Sequence, residues 1–247
     1  MSGLFSLDGH RALVTGANTG IGRAIAEALA GQGARVTCAG RRSTAETVAA
    51  ITQAGGQADA LLIDFADPLA AQGIFADAGY TLLVNNAGII RRENAVTHSE
   101  ADWDAVIDTN LKAVFFTCQA FGRELIARGQ EGAIVNIASL LSFQGGILVP
   151  GYTASKHGVA GITKLLANEW APNGITVNAI APGYIATNNT EALRDDPDRA
   201  RQILERIPAG RWGRPEDIGG TAAFLCSPAA RYITGAVLNV DGGWLAR

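Results

Sequence analysis

Short apolar runs rich in β-branched residues alternate along the chain with longer alanine-rich stretches of helical character. The predicted strands, which show no clean alternation of polar residues, are Ala12–Thr15, Arg35–Ala39, Ala58–Ile63, Leu82–Asn85, Ala133–Ala138, Ile175–Ile180 and Ala236–Val240. The predicted helices between them are Ile21–Gly31, Ala45–Ala54, Leu69–Ala78, Glu100–Arg128, Tyr152–Trp170 and Pro215–Cys226. Strands that are apolar throughout are typical of a parallel sheet covered on both faces. The alternation therefore predicts a doubly wound α/β fold with seven parallel strands, and its spread over all 247 residues predicts a single domain.

A glycine-rich segment follows the first predicted strand and leads directly into the first predicted helix. Its sequence, TGANTGIG, has the spacing T-G-x-x-x-G-x-G. The first glycine permits a tight turn, the second lets the backbone approach a pyrophosphate, and the third lets the helix pack closely on the strand. The helix N-terminus offers free N–H groups and partial positive charge to phosphates. The segment therefore predicts a dinucleotide site formed by Gly16, Asn18, Thr19, Gly20, Ile21 and Gly22.

The end of the second predicted strand is where such folds read the adenosine ribose. An acid there binds the 2′-hydroxyl of NAD, whereas a basic residue accommodates the 2′-phosphate of NADP. This chain has Arg41 and Arg42, with no acid before Glu46. Two guanidinium groups favour NADP(H), although Thr19 stands where a second basic residue would strengthen the preference. Both arginines could instead be solvated loop residues.

Two further loops fall at the same predicted edge of the sheet. Asp64 and Phe65 follow the third strand, where the carboxylate could accept a hydrogen bond from the adenine amino group. Asn86, Ala87 and Gly88 follow the fourth strand. Small residues there let the backbone approach the nucleotide, and Asn side chains can tie adjacent loops together. On composition alone this second segment could equally be an ordinary turn.

Tyr152 and Lys156 lie four residues apart at the start of a predicted helix, so they share one helical face. A phenol has an ordinary pKa of about 10, and a nearby ammonium group favours the phenolate and lowers that pKa. Ser139 ends the fifth predicted strand, at the edge where α/β sheets bind ligands, and its hydroxyl could donate to a substrate carbonyl. An isolated Tyr-x-x-x-Lys is often a surface pair. Its combination with Ser139 and the glycine segment instead predicts a catalytic site.

Composition argues against several classes of protein. Twenty basic and 23 acidic residues give a net charge of −3, which argues against a basic nucleic-acid-binding face. The sequence shows no apolar run of about 18 residues and no signal-peptide pattern, so we expect a cytoplasmic protein without membrane contact. Cys38, Cys118 and Cys226 have no paired spacing, so we expect buried free thiols. The three histidines have no metal-ligand spacing, so no metal is expected.

Together these motifs resemble the short-chain dehydrogenase/reductases over the whole chain and in the expected order. The positions that carry the resemblance are Thr15–Gly22, Asn85–Gly88, Asn110, Ser139, Tyr152, Lys156, Pro182 and Gly183. The resemblance implies a Rossmann fold and an oxidoreductase that uses NAD(P)(H). It also implies a homotetramer, since family members commonly assemble through the two long helices predicted at Glu100–Arg128 and Tyr152–Trp170.

The resemblance also implies roles for individual residues. Tyr152 would be the general acid/base, and Lys156 would lower its pKa while holding the nicotinamide ribose. Ser139 would polarise the substrate, and Asn110 would support a water-linked proton relay to Lys156. The residues that would lie along the nicotinamide are Pro182, Gly183, Ile185 and Thr187, with Thr187 binding the carboxamide.

Other segments resemble a group within this family that interconverts hydroxyl and keto forms of deoxy sugar acids. These segments are Ile90–Glu93, Ser142–Gly146, Ala181–Asn189, Ile207–Gly213 and Asp241–Arg247. The resemblance implies a substrate of the 2-dehydro-3-deoxy-D-gluconate type, formed in uronate breakdown. The group is often NAD-linked, whereas Arg41 and Arg42 favour NADP, so the choice of cofactor stays open.

A sugar acid carries a carboxylate, which calls for a cationic partner. We expect Arg91 or Arg92, with a preference for Arg92, because both follow the fourth-strand loop. Gln144, Asn188 and Asn189 could bind substrate hydroxyls or could form hydrogen bonds within their loops. The polar stretch from 188 to 201 could be a substrate lid or a solvated helical insertion. Whether the C-terminal residues reach a neighbouring active site is also open.

Two other functions are weighed against this one. A reductase of another carbonyl, such as a 3-oxoacyl thioester on a carrier protein, would need a basic docking surface, which the net charge of −3 argues against. A nucleotide-binding sensor or scaffold without turnover would be favoured by a broken Ser/Tyr/Lys set, whereas Ser139, Tyr152 and Lys156 are all present.

Overall fold

The computed structural model describes residues 3–247 and contains one seven-stranded sheet in the order β3-β2-β1-β4-β5-β6-β7. Each neighbouring pair of strands is parallel. The strands are β1 (Arg11–Thr15), β2 (Arg35–Gly40), β3 (Gln57–Leu62), β4 (Leu82–Asn85), β5 (Gly132–Ile137), β6 (Ile175–Pro182) and β7 (Val237–Val240). The predicted doubly wound α/β fold is therefore confirmed, and every predicted strand overlaps an observed one.

Helices cover both faces of this sheet. They are α1 (Gly20–Gly31), α2 (Ala45–Gln53), α3 (Glu100–Ile107), α4 (Ala113–Arg128), α5 (Pro150–Trp170), α6 (Glu191–Arg194), α7 (Pro197–Arg206) and α8 (Pro215–Cys226). Adjacent residues of β1 show how the two cores form. Val14 packs in one apolar cluster with residues of α1 and α8, and Leu13 packs in the other with residues of α4 and α5. Because both faces are buried, the strands have no need of alternating polar residues.

The predicted helix at Leu69–Ala78 is wrong. The segment forms successive turns in which backbone N–H groups donate to carbonyls three residues earlier. Gly73 lies in its middle, where glycine disfavours a helix, and Asp77 adopts φ +52°, a left-handed conformation that does not continue a helix. Phe75 is nevertheless buried edge-on against Phe121, with ring centroids 5.4 Å apart. The apolar residues that suggested a helix do enter the core, but from turns.

The predicted helix Glu100–Arg128 is interrupted at its centre. A π-helical turn, Asp108–Lys112, separates α3 from α4. Such turns insert an extra residue into a helix and are frequent at functional sites. This turn contains the buried Asn110, whose contacts are described below.

The polar stretch after β6 is helical rather than extended. A short turn at Asn188–Thr190 leads into α6 and α7, and a carboxylate oxygen of Asp196 caps α7 by accepting from the N–H groups of Asp198 and Arg199 at 3.1 and 3.0 Å. Ile203 of α7 is only 2% exposed and packs in a small third apolar cluster. The segment is thus fixed at its C-terminal end, and a movement as a lid stays a prediction.

Candidate active site

The centre of the sheet marks where ligands bind in this architecture. β1 lies beside β4, so the chain reverses its winding direction between these two strands, and the loops that follow them diverge. Two adjoining cavities of about 180 and 130 Å³ lie at this carboxyl edge. The residues that line both cavities are Ile21, Asn86, Gly88, Thr187 and Asn189.

Larger clefts open at the opposite, amino edge of the sheet. One of about 840 Å³ lies against the ends of α1 and α2, and one of about 440 Å³ lies near His10 and Arg231. Neither is lined by a residue that the sequence motifs single out. We therefore choose the candidate site by its residues rather than by cavity volume, and place it at the carboxyl edge of the sheet.

The glycine segment has the shape and the charge that a pyrophosphate requires. Gly16 adopts φ +65°, and a Cβ at Gly22 would run into the carbonyl oxygen of Gly16. The N-cap residue Thr19 makes no side-chain hydrogen bond to the first turn of α1, and that turn contains no acidic residue. The N–H groups of the first turn of α1 therefore have no side-chain acceptor, so an anion fits at this end of the helix.

Hydrogen bonds tie the glycine segment to the loop after β4. The side-chain amide of Asn86 donates to the carbonyl oxygens of Thr15 and Gly16 at 3.0 and 3.2 Å. The hydroxyl oxygen of Thr15 accepts from the backbone N–H groups of Asn86 and Ala87, each at 2.9 Å. Gly88 follows at the cavity wall. The two loops that were predicted to contact a nucleotide thus form one continuous surface.

The part of this surface that follows β2 is basic. Arg41, Arg42 and Ser43 follow β2 and are exposed. Ser43 was not among the predicted site residues, although a hydroxyl beside two arginines is suited to contact a phosphate. Asp64 is exposed, and its carboxylate accepts from the Ala66 N–H at 3.0 Å.

Phe65 does not point into this surface. Its side chain is 6% exposed and packs in the core, so only its backbone is left to face a nucleotide.

Ser139, Tyr152 and Lys156 are brought together on one wall of the 130 Å³ cavity. The Ser139 oxygen accepts from the Leu141 N–H at 3.2 Å, so its proton is left to donate, and its hydroxyl acts to lower the pKa of the nearby Tyr152. The hydroxyl of Ser142 donates to the Lys156 carbonyl oxygen at 2.7 Å. This bond holds the loop after β5 against α5, which fixes Ser139 relative to the tyrosine.

The buried ammonium group of Lys156 donates to a main-chain carbonyl rather than to the phenol. It reaches the Ile137 oxygen at 2.6 Å and lies 5.5 Å from the centroid of the Tyr152 ring. Burial lowers the pKa of Lys156 to about 8. Burial also raises the pKa of Tyr152, against the opposing effects of the Ser139 hydrogen bond and the Arg92 guanidinium. Lys156 is thus directed at a main-chain carbonyl in this arrangement, and its lowering of the tyrosine pKa stays a prediction.

Asn110 sits in the π-helical turn with its side chain completely buried. Its amide donates to the Ile89 carbonyl oxygen at 2.9 Å and accepts from the Ile89 N–H at 2.8 Å. The side chain thus pins the backbone after Gly88 and does not contact Lys156. Its role in a proton relay stays a prediction. Ile89 itself was not singled out, since its contribution is through the backbone and leaves no sequence signal.

The loop after β6 closes the other side of the cleft. Pro182, Gly183, Ile185 and Thr187 all line the 130 Å³ cavity, as the family resemblance implies for residues beside a nicotinamide. A Cβ at Gly183 would lie 2.6 Å from the Cα of Asp241, so only glycine fits there.

The two arginines that were considered for a substrate carboxylate differ in their contacts. Arg91 forms an ion pair with Asp102 at 3.0 Å. Arg92 instead donates to the carbonyl oxygen of Asn189 at 3.0 Å, and its charge acts on Tyr152. A carbonyl oxygen leaves the positive charge uncompensated. Arg92 is therefore the better placed of the two.

Two of the three other predicted substrate residues line these cavities, and the third lies in an adjoining loop. Asn188 lines the cavity beside the glycine segment, and Asn189 lines both cavities. Gln144 lies in the loop between Ser139 and Tyr152, where its side-chain oxygen accepts from the Trp244 indole N–H at 3.5 Å. Asn189 therefore lines the same cavity as Ser139 and Tyr152, whereas Gln144 lies in the loop after β5 against Trp244.

Other chemistries have few candidates among residues 3–247. Cys38, Cys118 and Cys226 are free and buried, and burial raises the pKa of each to about 12, which disfavours thiolate nucleophiles. Within the same residues, His, Cys, Asp and Glu side chains form no group of three that could hold a metal ion. No helix in this described part combines the length and the apolar character needed to cross a membrane.

Comparison with known proteins agrees with this geometry. A family model described as enoyl-(acyl carrier protein) reductase, which belongs to the short-chain dehydrogenase/reductases, matches residues 16–245. A 2-dehydro-3-deoxy-D-gluconate 5-dehydrogenase from Bacillus subtilis (strain 168) is 54% identical, over 98% of this chain and 97% of that protein.

Two crystal structures with bound NADP are also similar. One, provisionally described as a 2-deoxy-D-gluconate 3-dehydrogenase from Agrobacterium tumefaciens, is 69% identical with a TM-score of 0.98 and covers 99% of each chain. The other, provisionally described as a gluconate 5-dehydrogenase from Beutenbergia cavernae, holds NADP at low occupancy; it is 50% identical with a TM-score of 0.96, over 99% of this chain and 100% of that one. The protein belongs to the short-chain dehydrogenase/reductase family of NAD(P)-dependent oxidoreductases.

Proposed function

We propose that the protein interconverts a secondary alcohol and a ketone on a deoxy sugar acid of the 2-dehydro-3-deoxy-D-gluconate type. The observation that carries this substrate class is the hydrogen bond from Arg92 to Asn189, which lines the Ser139–Tyr152 cleft, while Arg92 has no carboxylate partner among residues 3–247. A substrate carboxylate there would gain a charge-assisted hydrogen bond while its hydroxyl carbon reached Tyr152. The names of the similar proteins from Bacillus subtilis and Agrobacterium tumefaciens support the same class.

The reaction uses the two hydroxyls of the cleft. In the oxidative direction Tyr152, as phenolate, takes the proton of the substrate hydroxyl while Ser139 donates a hydrogen bond to the same oxygen. A bound nicotinamide supplies the hydride acceptor in this direction and the hydride donor in the other. In reduction Tyr152 returns its proton to the substrate oxygen as the carbonyl is reduced.

The buried Lys156 has a second task in this proposal. Its ammonium group would bind the nicotinamide ribose hydroxyls through the donors that the 2.6 Å bond to the Ile137 carbonyl leaves free. A positive charge brought closer to the phenol would lower the pKa of Tyr152, which burial raises in the structure described. Cofactor binding and activation of the tyrosine would thus be linked through one side chain.

The cofactor we propose is NADP(H). The exposed Arg41 and Arg42 stand where a 2′-phosphate would lie, and the same position offers no acid. Bound NADP in the similar Agrobacterium tumefaciens structure supports this choice. The pyrophosphate would lie on the glycine segment, and the nicotinamide would lie between Pro182–Thr187 and Tyr152.

The assembly we propose is a homotetramer. Trp103 of α3, Ile126 of α4 and Leu165 of α5 are 40%, 40% and 47% exposed, which supports burial of these helices against further copies. The assembly is tested by light scattering of the purified protein, and a monomer mass at micromolar concentration would contradict it.

A steady-state screen tests the proposed function. Deoxy-keto sugar acids are supplied with NADPH or NADH, and the corresponding hydroxy acids with the oxidised cofactors. We expect turnover of at least one deoxy sugar acid, with the higher kcat/KM for NADP(H). Inactivity with every sugar acid, together with reduction of a 3-oxoacyl thioester, would overturn the substrate assignment.

A further inference from the structure

The C-terminal turn, Trp244–Ala246, packs into the small third apolar cluster beside the active-site cleft. The Trp244 side chain is 4% exposed and lies among Leu140, Ile203 and Ile207. Its ring centroid is 4.7 Å from that of Tyr184. The cluster therefore joins the loops after β5 and β6 to the end of α7.

Hydrogen bonds to the backbone of this turn hold it in place. The two carboxylate oxygens of Asp241 accept from the N–H groups of Gly243 and Leu245 at 2.8 and 2.9 Å. The carbonyl oxygen of Gly242 accepts from the Ala209 N–H at 3.0 Å, just beyond α7. Gly243 adopts φ +91°, where a side chain is strained. These bonds fix the position from which the indole ring extends.

The indole also determines the orientation of a predicted substrate residue. Its N–H is a donor only, so the side-chain oxygen of Gln144 must face it, at 3.5 Å. The amide NH₂ of Gln144 is consequently directed away from Trp244 and is left to donate. Gln144 lies between Ser139 and Tyr152 in the sequence, in the loop after β5 that starts from Ser139 at the cavity wall.

Trp244 also lies at one end of the segment that borders the substrate opening. The α6–α7 segment starts from Thr187 and Asn189, which line the cleft, and Arg92 donates to Asn189. At the other end of the segment, Ile203 packs in the same cluster as Trp244. The guanidinium carbon of Arg206 lies 4.0 Å from the Trp244 ring centroid. The wall that bears Asn189 is therefore anchored on the C-terminal turn.

We propose that Trp244 is a positioning residue for substrate binding. Its N–H orients the Gln144 amide toward substrate oxygens, and its ring holds the α6–α7 segment along the cleft. The first half of this inference, that Trp244 orients the Gln144 amide, rests on the proposed sugar-acid function. The second half, that the Trp244 ring holds the α6–α7 segment, is measurable without a substrate.

The test compares Trp244→Phe, Trp244→Ala and the control Trp212→Phe. Phenylalanine keeps an aromatic ring but removes the N–H, whereas alanine removes both. Trp212 belongs to the same cluster and packs edge-on against Tyr184 at 5.7 Å, but the hydrogen bond to Gln144 comes from Trp244. The readouts are KM and kcat for the sugar acid, Kd for the cofactor, and the rate of tryptic cleavage at Arg194 and Arg201.

We expect Trp244→Phe to raise KM for the sugar acid about threefold, the scale of one weak hydrogen bond, with kcat, cofactor Kd and cleavage rate unchanged. Trp244→Ala should raise KM about tenfold or more and speed cleavage at Arg194 and Arg201, because α6–α7 opens more often. Trp212→Phe should leave KM unchanged. A KM unchanged in both Trp244 variants of an active enzyme would overturn the first half.

Failure of the proposed function gives a different result. The wild-type protein would then turn over no sugar acid, while the cleavage rates would still decide the second half. An equal cleavage rate in Trp244→Ala and wild type would overturn that half. Should Trp244→Ala fail to fold, Trp244→Phe and its control still decide the orientation of Gln144 through KM.

Discussion

The ammonium group of Lys156 donates to the carbonyl oxygen of Ile137 at 2.6 Å in a position where the side chain is only 5% exposed. A charge held this way is costly to bury, which is why the pKa of Lys156 falls to about 8. The cost makes functional sense if the charge serves the cofactor and the tyrosine. It also predicts that Lys156 reduces the stability of the fold.

Replacement of this lysine by an apolar side chain should therefore stabilise the protein. At about pH 7 we expect Lys156→Met to raise the free energy of unfolding by about 1–3 kcal/mol and to abolish turnover. The unfolded lysine binds protons up to its ordinary pKa of 10.5 and the folded one only to about 8, so wild-type stability rises with pH across that window. Denaturation by urea at about pH 7 and pH 9 should show the difference shrinking at the higher pH. A variant less stable than wild type at pH 7 would contradict this.

Arg92 and Arg91 offer a matched pair for testing carboxylate binding. Arg92→Leu should lower kcat/KM for the sugar acid about 10- to 100-fold, since a charge-assisted hydrogen bond is lost. Arg91→Leu should change it less than about threefold, because Arg91 pairs with the half-exposed Asp102 and such surface pairs contribute little. The measurement is kcat/KM for the sugar acid in both variants. Equal losses would show that the substrate does not distinguish the two arginines.

Arg41 and Arg42 should determine the cofactor preference. We expect the double replacement by alanine to raise KM for NADPH about tenfold or more and to leave KM for NADH within about twofold, since only NADPH carries the 2′-phosphate. The measurement is KM for both cofactors at saturating substrate. Parallel losses with the two cofactors would mean that these guanidinium groups do not contact the phosphate.

Gly22 and Gly31 lie on the same helix, α1, in different surroundings. A Cβ at Gly22 would meet the Gly16 carbonyl and the Asn86 amide, whereas a Cβ at Gly31 would meet nothing within 4 Å. We expect Gly22→Ala to weaken cofactor binding at least about tenfold and to lower Tm, while Gly31→Ala leaves binding unchanged and holds or raises Tm. Cofactor titration and thermal unfolding test both. A Gly22→Ala protein that binds cofactor normally would argue against a tight glycine turn.

Local patterns are enough to predict the sheet and the positions of the main motifs. Strands of a doubly covered parallel sheet are apolar throughout, so their positions are visible in the sequence, and Ser139 and the glycine segment follow from where those strands end. The segment Leu69–Ala78 misled because its apolar spacing is shared by helices and by turns that bury Phe75. Nothing in the sequence marks the π-helical turn around Asn110, since it arises from packing between distant residues.

Finer features of the site depend on contacts between distant parts of the chain. Arg91 and Arg92 are adjacent and chemically identical, and they differ in the ion pair of Arg91 with Asp102 and the hydrogen bond of Arg92 to Asn189. The Lys156–Ile137 contact and the burial of Phe65 likewise require three-dimensional neighbours. The link from Trp244 to Gln144 spans 100 residues of sequence, and no spacing rule covers it.

Exchange of the substrate proton by the Tyr152 hydroxyl is tested most directly by Tyr152→Phe, which keeps the ring and removes the hydroxyl. Turnover of the sugar acid and Kd for NADPH are measured on the same preparation. We expect loss of turnover by at least about a thousandfold, with Kd for NADPH within about threefold of wild type. Activity close to that of wild type in Tyr152→Phe would contradict it.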